Sequence, residues 1–147
     1  MTDHPLDLER VPDSKLDVVE AVLDRNDFPA RDVRESPASF FVAHVDGQYV
    51  GIGGFEQDGV DGLLRSVVVN RSVRGMGFGM GLCTKLEGRA RESGVETLSL
   101  LTTTAQDFFA RLEYETIPRA RPPEAIQQTS EFSELCPSGA TCMRKSL

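Results

Sequence analysis

The chain has 147 residues, 39% hydrophobic and 27% charged, which predicts a single globular domain over residues 1–147 with a buried core. No apolar run approaches the roughly 20 residues of a membrane-spanning helix and no signal peptide opens the chain, so we expect a cytoplasmic protein with no membrane partner. The net charge of −7 argues against a nucleic-acid partner, because a phosphate backbone is bound by a basic surface. Three cysteines, an odd number, argue against a disulfide framework.

The first half of the chain predicts strands and helices from its apolar periodicity. Strands are expected over residues 6–11, 39–45, 48–56 and 63–69, and helices over residues 13–26 and 30–35. Asp13 or Ser14 is the expected N-cap of the first helix. The pair Asp46-Gly47 predicts a hairpin turn. Glycines at positions 51, 53 and 54 predict a bulge or a close approach of the backbone to a ligand.

The second half predicts helices that alternate with strands. Helices are expected over residues 78–93, 105–112 and 122–135, and strands over residues 95–101, 114–119 and 140–145. Because a helix links strand 63–69 to strand 95–101, these two strands should be parallel. In that helix Phe78, Leu82, Cys83, Leu86 and Ala90 should be buried, whereas Lys85, Glu87, Arg89 and Glu92 should face water.

A glycine-rich turn over residues 70–79 joins the apolar strand 63–69 to this helix. Glycines at positions 75, 77 and 79 let backbone N–H groups point inward, and the helix N-terminus adds partial positive charge. With Arg71 and Arg74 beside it, this order predicts a phosphate site. A P-loop is excluded because no Gly-Lys-Ser/Thr follows the glycines, and a dinucleotide fingerprint because Leu82 stands at its third glycine position. A turn that serves only helix packing is disfavoured, because three glycines weaken the start of a helix and add no stabilising packing contact.

The sequence Arg74-Gly75-Met76-Gly77-Phe78-Gly79 resembles the R/Q-x-x-G-x-G/A motif of the GNAT acetyltransferases. Residues 69–73 fit the pattern before that motif, except that Arg71 stands where a proline is common. The resemblance implies an α/β (α+β) GNAT fold, a mixed sheet of about seven strands flanked by helices, with one splayed parallel pair. It also implies an N-acetyltransferase that uses acetyl-CoA, in which the loop binds pyrophosphate and the splayed strands admit the pantetheine arm. The amine then attacks the thioester directly.

Carried over residue by residue, the resemblance implies coenzyme contacts from the strand, the loop and the segment after the next strand. They are the backbone of Val67, Val68 and Val69, the loop residues Arg74, Gly75, Met76, Gly77, Phe78 and Gly79, and the side chains of Thr102, Thr104 and Phe108. The alternative for the threonines is structural, because Thr104 is a good N-cap for a helix that starts at Ala105.

Two positions depart from the family pattern where the chemistry takes place. The pattern A-x-x-F-Y-x-x-x-G-F corresponds to residues 105–114. The tyrosine that commonly protonates the departing thiolate is Phe109 here, and Glu113 stands at the usual glycine position. Tyr114 is the candidate general acid if it points inward; its alternative is a core aromatic, with water protonating the thiolate. Glu56 is the candidate general base, and its alternative is a solvated carboxylate before a turn. His44 is the other titratable group in range.

The candidate substrate residues are Arg65 and Cys136. Arg65, a charge within an apolar strand, needs a partner, either a substrate carboxylate or oxyanion or an internal Asp or Glu. Residues 132–143, with residues 100–105 and 107–112, resemble the GNAT branch associated with arsenic-resistance operons. That resemblance implies a small-molecule amine as substrate and a role in arsenic resistance or detoxification. The GNAT resemblance as a whole, with its C-terminal strand, implies a possible homodimer.

Two of the cysteines raise a second possibility. Cys136 and Cys142 could bind trivalent arsenic as soft ligands, or be small buried hydrophobes, and we predict no metal site. A non-catalytic module that senses acetyl-CoA or an arsenical is the rival function. Acetylation of a peptide or protein is a third.

Overall fold

The computed structural model describes residues 6–26, 33, 38–73, 75, 77–129 and 139–147. The strands are β1 Leu6–Arg10, β2 Ser39–Val45, β3 Gln48–Asp58, β4 Asp61–Val69, β5 Thr97–Thr102, β6 Glu115–Ile117 and β7 Thr141–Ser146. The helices are α1 Leu16–Arg25, α2 Phe78–Glu92, α3 Gln106–Arg111 and α4 Glu124–Gln127. The helix expected over residues 30–35 lies, apart from Val33, outside the described residues.

All seven strands form one sheet in the order β1-β2-β3-β4-β5-β7-β6. Neighbouring strands are antiparallel except β4 and β5, which are parallel. This arrangement confirms the expected mixed sheet of seven strands with one parallel pair. The β2–β3 hairpin turns at Asp46 and Gly47, whose φ angles of 51° and 77° are those of a type I′ turn, as the sequence predicts.

The parallel pair separates after a short region of pairing. Strand β4 pairs with β5 only from Asp61–Thr97 to Leu63–Ser99. Beyond that point β4 pairs with β3 as far as Val69, and β5 pairs with β7 as far as Thr102. In the described part of the chain, no β4–β5 pair therefore follows Leu63, and the two strands splay apart as expected.

Two bulges lie near this separation. Ala43 pairs with Gly51 and His44 with Tyr49, so Val50 is an extra residue in β3, which confirms the bulge expected among its glycines. A second bulge lies in β4, where Ile52 pairs with Val68 but Gly54 pairs with Arg65. Ser66 has a φ angle of 60° there, in the left-handed region that bulges use.

Helices cover both faces of the sheet. Leu82, Cys83, Leu86 and Ala90 of α2 belong to the larger core cluster, against which Val67 and Val69 pack, and the stripe expected in α2 is confirmed at these positions. Val68 belongs instead to the cluster of α1, with Val19, Val22 and Leu23. Because successive strand side chains point to opposite faces, α1 and α2 lie on opposite faces of β4. A third cluster joins Leu63 to Ile126 of α4.

Three details of the expected helices are wrong. Neither Asp13 nor Ser14 caps α1, because these residues form a 3₁₀ turn with Lys15, and no side chain caps the helix that follows. Helix α4 ends at Gln127 rather than near Leu135, with residues 130–138 outside the described range. Glu87 is 4% exposed instead of facing water. Among the described helices, none combines the length and the apolar character needed to cross a bilayer.

Candidate functional site

The glycine turn after β4 ends in an uncapped helix N-terminus. Gly75 and Gly77 both have a φ angle of 84°, which glycine adopts without strain. Gly77 is the N-cap of α2; no described side chain caps that helix, and its first turn carries no acidic residue. The first N–H groups of α2 therefore keep their partial positive charge for an anion. A Cβ at Gly75 or Gly77 would meet nothing within 4 Å, so this backbone is accessible from outside.

Gly79 has a different role from its neighbours. A Cβ there would lie 3.3 Å from two ring carbons of Phe108 and 3.6 Å from a methyl of Val69. The absence of a side chain at Gly79 thus lets Phe108 of α3 pack on the first turn of α2. The sequence alone does not predict this packing contact. Arg74, Met76 and Cys136 lie outside the described residues.

The open gap between β4 and β5 lies beside this helix N-terminus. Val67 and Val69 are half-buried, whereas Val68 is 3% exposed. On the β5 side, the N–H of Ala105 donates to Oγ1 of Thr102 at 3.0 Å. The structural role expected for Thr104 therefore belongs to Thr102, and the expected Thr104 cap is wrong, because Thr104 is exposed and α3 has no side-chain cap at Ala105.

A buried ion pair lies where β4 and β5 begin to separate. Nη1 of Arg65 donates to Oε2 of Glu56 at 3.1 Å, and their side chains are 0% and 6% exposed. Nε of Arg65 donates to Oγ of Ser66 at 3.1 Å, and the guanidinium lies 5.5 Å from the centre of the Phe40 ring. Of the two partners expected for Arg65, the structure gives it the internal carboxylate. The solvated alternative for Glu56 is wrong, because this side chain is buried.

Glu56 keeps one oxygen available in this arrangement. Oε2 is held by Arg65, and no described residue donates a hydrogen bond to Oε1. A carboxylate that is fixed at one oxygen and open at the other can accept a proton in a defined direction.

Tyr114 lies in the core rather than in the gap. It is 3% exposed, and its hydroxyl donates to Oε2 of Glu87 at 2.9 Å, while Nζ of Lys145 donates to Oε1 of the same carboxylate at 2.9 Å. Burial and then the charge of Glu87 raise the pKa of Tyr114 far above its usual range. This geometry argues against Tyr114 as the general acid, because its proton is held between core side chains.

Phe109 takes the place of the family tyrosine without its hydroxyl. Its ring lies 5.1 Å from that of Phe108 and 5.6 Å from that of Tyr114, both edge-on. Cys142 is buried beside Leu63, and burial raises the pKa of its thiol, which disfavours the thiolate that a soft metal ion needs.

A cavity that the sequence analysis missed lies at the end of α1. It has a volume of about 400 Å³ and is lined by Val22, Arg25, Asn26, Tyr49, Val68 and Asn70. It touches both β4, through Val68, and the start of the glycine turn, through Asn70. No local sequence pattern marks it, because its walls come from α1, β3 and β4.

Comparison with protein-family models identifies the family of the chain. The model of the "Acetyltransferase (GNAT) family" matches residues 6–115, more than half of the chain. The chain belongs to the GNAT acetyltransferase family. As a GNAT enzyme it is an acetyltransferase with acetyl-CoA as co-substrate. The fold expected from the GNAT resemblance is therefore confirmed.

Solved GNAT structures share this fold. N-acetylglutamate synthase from Neisseria gonorrhoeae, complexed with coenzyme A and N-acetyl-glutamate, aligns with a TM-score of 0.78 at 16% identity over 99% of this chain. This chain covers only 36% of that enzyme. A Mycobacterium tuberculosis protein in complex with CoA aligns with a TM-score of 0.77 at 21% identity, covering 96% of this chain and 99% of that one. A GNAT acetyltransferase from Staphylococcus aureus gives 0.68 at 18% identity, with coverages of 97% and 99%. A comparison with curated proteins gives no match.

Proposed function

We propose that this GNAT enzyme transfers the acetyl group of acetyl-CoA to a primary amine of a small molecule by direct attack. The observation that carries the proposal is the gap between β4 and β5, which opens after Leu63 beside the uncapped N-terminus of α2. Acetyl-CoA has two parts that match these two features. Its pyrophosphate is an anion that suits the helix N-terminus, and its extended pantetheine arm suits the gap.

The coenzyme is held mainly by backbone in this proposal. The N–H groups around Gly75, Gly77, Phe78 and Gly79 bind the pyrophosphate, and the backbone of Val67, Val68 and Val69 pairs with the pantetheine arm. Arg74 and Met76 keep the roles that the motif implies. Phe108, which packs on Gly79, supports the loop from the α3 side.

Glu56 is the general base in this proposal. An ammonium group has no lone pair, so the amine must lose a proton before its nitrogen attacks the thioester carbonyl carbon. Arg65 acts on Glu56 as a positioning residue, fixing Oε2 so that Oε1 accepts the proton directly or through water. The new C–N bond forms as the C–S bond breaks. The second proton of the attacking nitrogen passes through water to the departing thiolate, since neither Phe109 nor the buried Tyr114 supplies a proton.

The substrate belongs to the proposal as well. The neighbour from N. gonorrhoeae was solved with N-acetyl-glutamate, so glutamate heads the list of amines to test. The segments 100–105, 107–112 and 132–143 resemble the arsenic-resistance branch, which supports a role in detoxification of an amino compound in the cytoplasm. Amino-arsenicals therefore complete the list.

Release of CoA thiol from acetyl-CoA is the direct test. Wild-type protein should release the thiol with at least one small amine, and Glu56→Gln should lower kcat by roughly 10²-fold or more without changing the Kd of acetyl-CoA. Glu124→Gln, an exposed carboxylate on α4, is the matched control and should behave as wild type. No thiol release with any amine, despite tight acetyl-CoA binding, would contradict the proposal.

A sensor is the second candidate function, and Phe109 favours it. A ring without a hydroxyl, packed between Phe108 and Tyr114, removes the acid that GNAT enzymes commonly use. A sensor should bind acetyl-CoA or arsenite without turnover, and the arsenite affinity should fall in Cys136→Ser. Turnover with any amine would exclude it.

A further inference from the structure

Among the described residues, the lining of the cavity at the end of α1 carries one positive charge without an ion-pair partner. Arg25 is the only charged residue in its described lining, and it makes no ion pair with a described residue. Its Nε donates to the carbonyl of Ala21 at a long 3.4 Å, and its two terminal nitrogens make no hydrogen bond to a described residue. The net charge of the chain is −7, so the positive charge of Arg25 locally favours a small anion on a surface that otherwise repels it.

The other polar groups of the cavity suit a small anionic ligand. Tyr49 is half-buried, and its hydroxyl makes no hydrogen bond to a described residue, so it remains available as a donor. Burial raises the pKa of Tyr49 while the charge of Arg25 lowers it, which places the two groups within electrostatic reach of each other. Val22 and Val68 supply an apolar wall. A volume of about 400 Å³ is within the range of small-molecule sites.

The position of the cavity connects it to the acetyl-transfer site. Val68 forms its wall, and the neighbouring Val67 and Val69 face the α2 side, where the glycine turn begins. Beyond Leu63 the same strand, β4, borders the β4–β5 gap. The cavity and the gap therefore share β4 as a common wall.

We infer that this cavity holds the anionic end of the acceptor, and that the enzyme selects amines that also carry a carboxylate. Arg25 pairs with the carboxylate, Tyr49 donates to it, and the amine extends past Val68 to the gap. The inference rests on the proposed function in one respect, namely that the amine of the bound acceptor points to the thioester in the gap. The carboxylate contact itself is independent of turnover. It makes Arg25 a specificity residue and predicts a free amino acid as the substrate class.

Free L-amino acids and the corresponding C-terminal amides test the inference, because each pair differs mainly in the anionic group. Wild type should prefer the acids in kcat/KM and, by calorimetry, in Kd. Arg25→Gln should lower the preference by about tenfold to a hundredfold through the KM of the amine, since a charge-assisted hydrogen bond is lost. Tyr49→Phe should lower it by about fivefold. Arg91→Gln, an exposed arginine near the end of α2 with the same change in charge, should keep it.

The outcomes separate the two proposals. Turnover with equal use of acids and amides, or a preference that survives Arg25→Gln, overturns the inference and leaves acetyl transfer standing. Carboxylate-dependent binding that is lost in Arg25→Gln, with no turnover of any amine, supports the inference and overturns the proposed function. Absence of binding and turnover for every amino acid overturns the inference outright.

Discussion

Gly77→Ala is the substitution that best tests the coenzyme loop. Gly77 has a φ angle of 84°, where an alanine costs about 1–2 kcal/mol, and among the described residues outside its chain neighbours no atom lies within 4 Å of the new Cβ to add a steric cost. The expected loss in free energy of unfolding is therefore about 1–2 kcal/mol, measured by urea titration. If the backbone relaxes instead, the N–H groups at the start of α2 turn away from the diphosphate, and the affinity for CoA should fall by about tenfold or more in calorimetry.

Gly88→Ala is the matched control in the same helix. A Cβ there also meets nothing within 4 Å, but Gly88 has ordinary helical backbone, so alanine should stabilise the protein by roughly 0.5–1 kcal/mol and leave CoA binding unchanged. The reasoning is refuted if Gly77→Ala matches wild type in both unfolding and CoA affinity, or if both variants weaken CoA binding equally.

Three further predictions concern buried polar groups. Arg65→Met leaves the Glu56 carboxylate buried without its partner and should cost about 3–5 kcal/mol in urea unfolding, whereas the additional change Glu56→Gln should recover much of that loss; no recovery would mean that the pair is not coupled. Tyr114→Phe should cost about 1–2 kcal/mol of stability and change kcat by less than about twofold, and a large loss of kcat at unchanged KM would restore Tyr114 as an acid. Burial and then the charge of Glu87 raise the pKa of Cys83 from 9.0 to about 12. As pH rises, the thiol of the unfolded chain therefore loses its proton before the thiol of the folded protein does. About 2 kcal/mol of the free energy of unfolding should be lost between about pH 8 and pH 10.5. Cys83→Ala should remove that part of the pH dependence; an unchanged slope would contradict it.

Local chemistry explains what could be predicted from the sequence. The β2–β3 turn and the loop before α2 depend on residues that favour a left-handed backbone, Asp46-Gly47 in one and Gly75 and Gly77 in the other, and these were anticipated. The partner of Arg65 could not be deduced, because it depends on the exact register of the β3–β4 hairpin, in which Glu56 pairs with Leu63 and Arg65 with Gly54. The bulge at Ser66, beyond Arg65, could not be predicted either. Serine gives no sign that it will adopt a φ angle of 60°.

Glu87 shows a different limit. The buried positions of α2 form the wide stripe of a helix that packs on a sheet: 82, 83, 86, 87 and 90. The helical spacing alone therefore places position 87 on the buried face. The residue type suggested exposure, and only its partners from distant segments, Tyr114 and Lys145, make burial favourable. The cavity beside Arg25 is likewise a product of tertiary placement, since its walls come from three separate elements.

The position of β7 constrains how the protein is made. Strand β7 lies between β5 and β6, and in the described sheet it is the only neighbour of β6. A ribosome must therefore finish Thr141–Ser146 before β6 acquires a partner and before the free edge of β5 is covered. Until then the nascent sheet exposes an unpaired edge of the kind that chaperones shield.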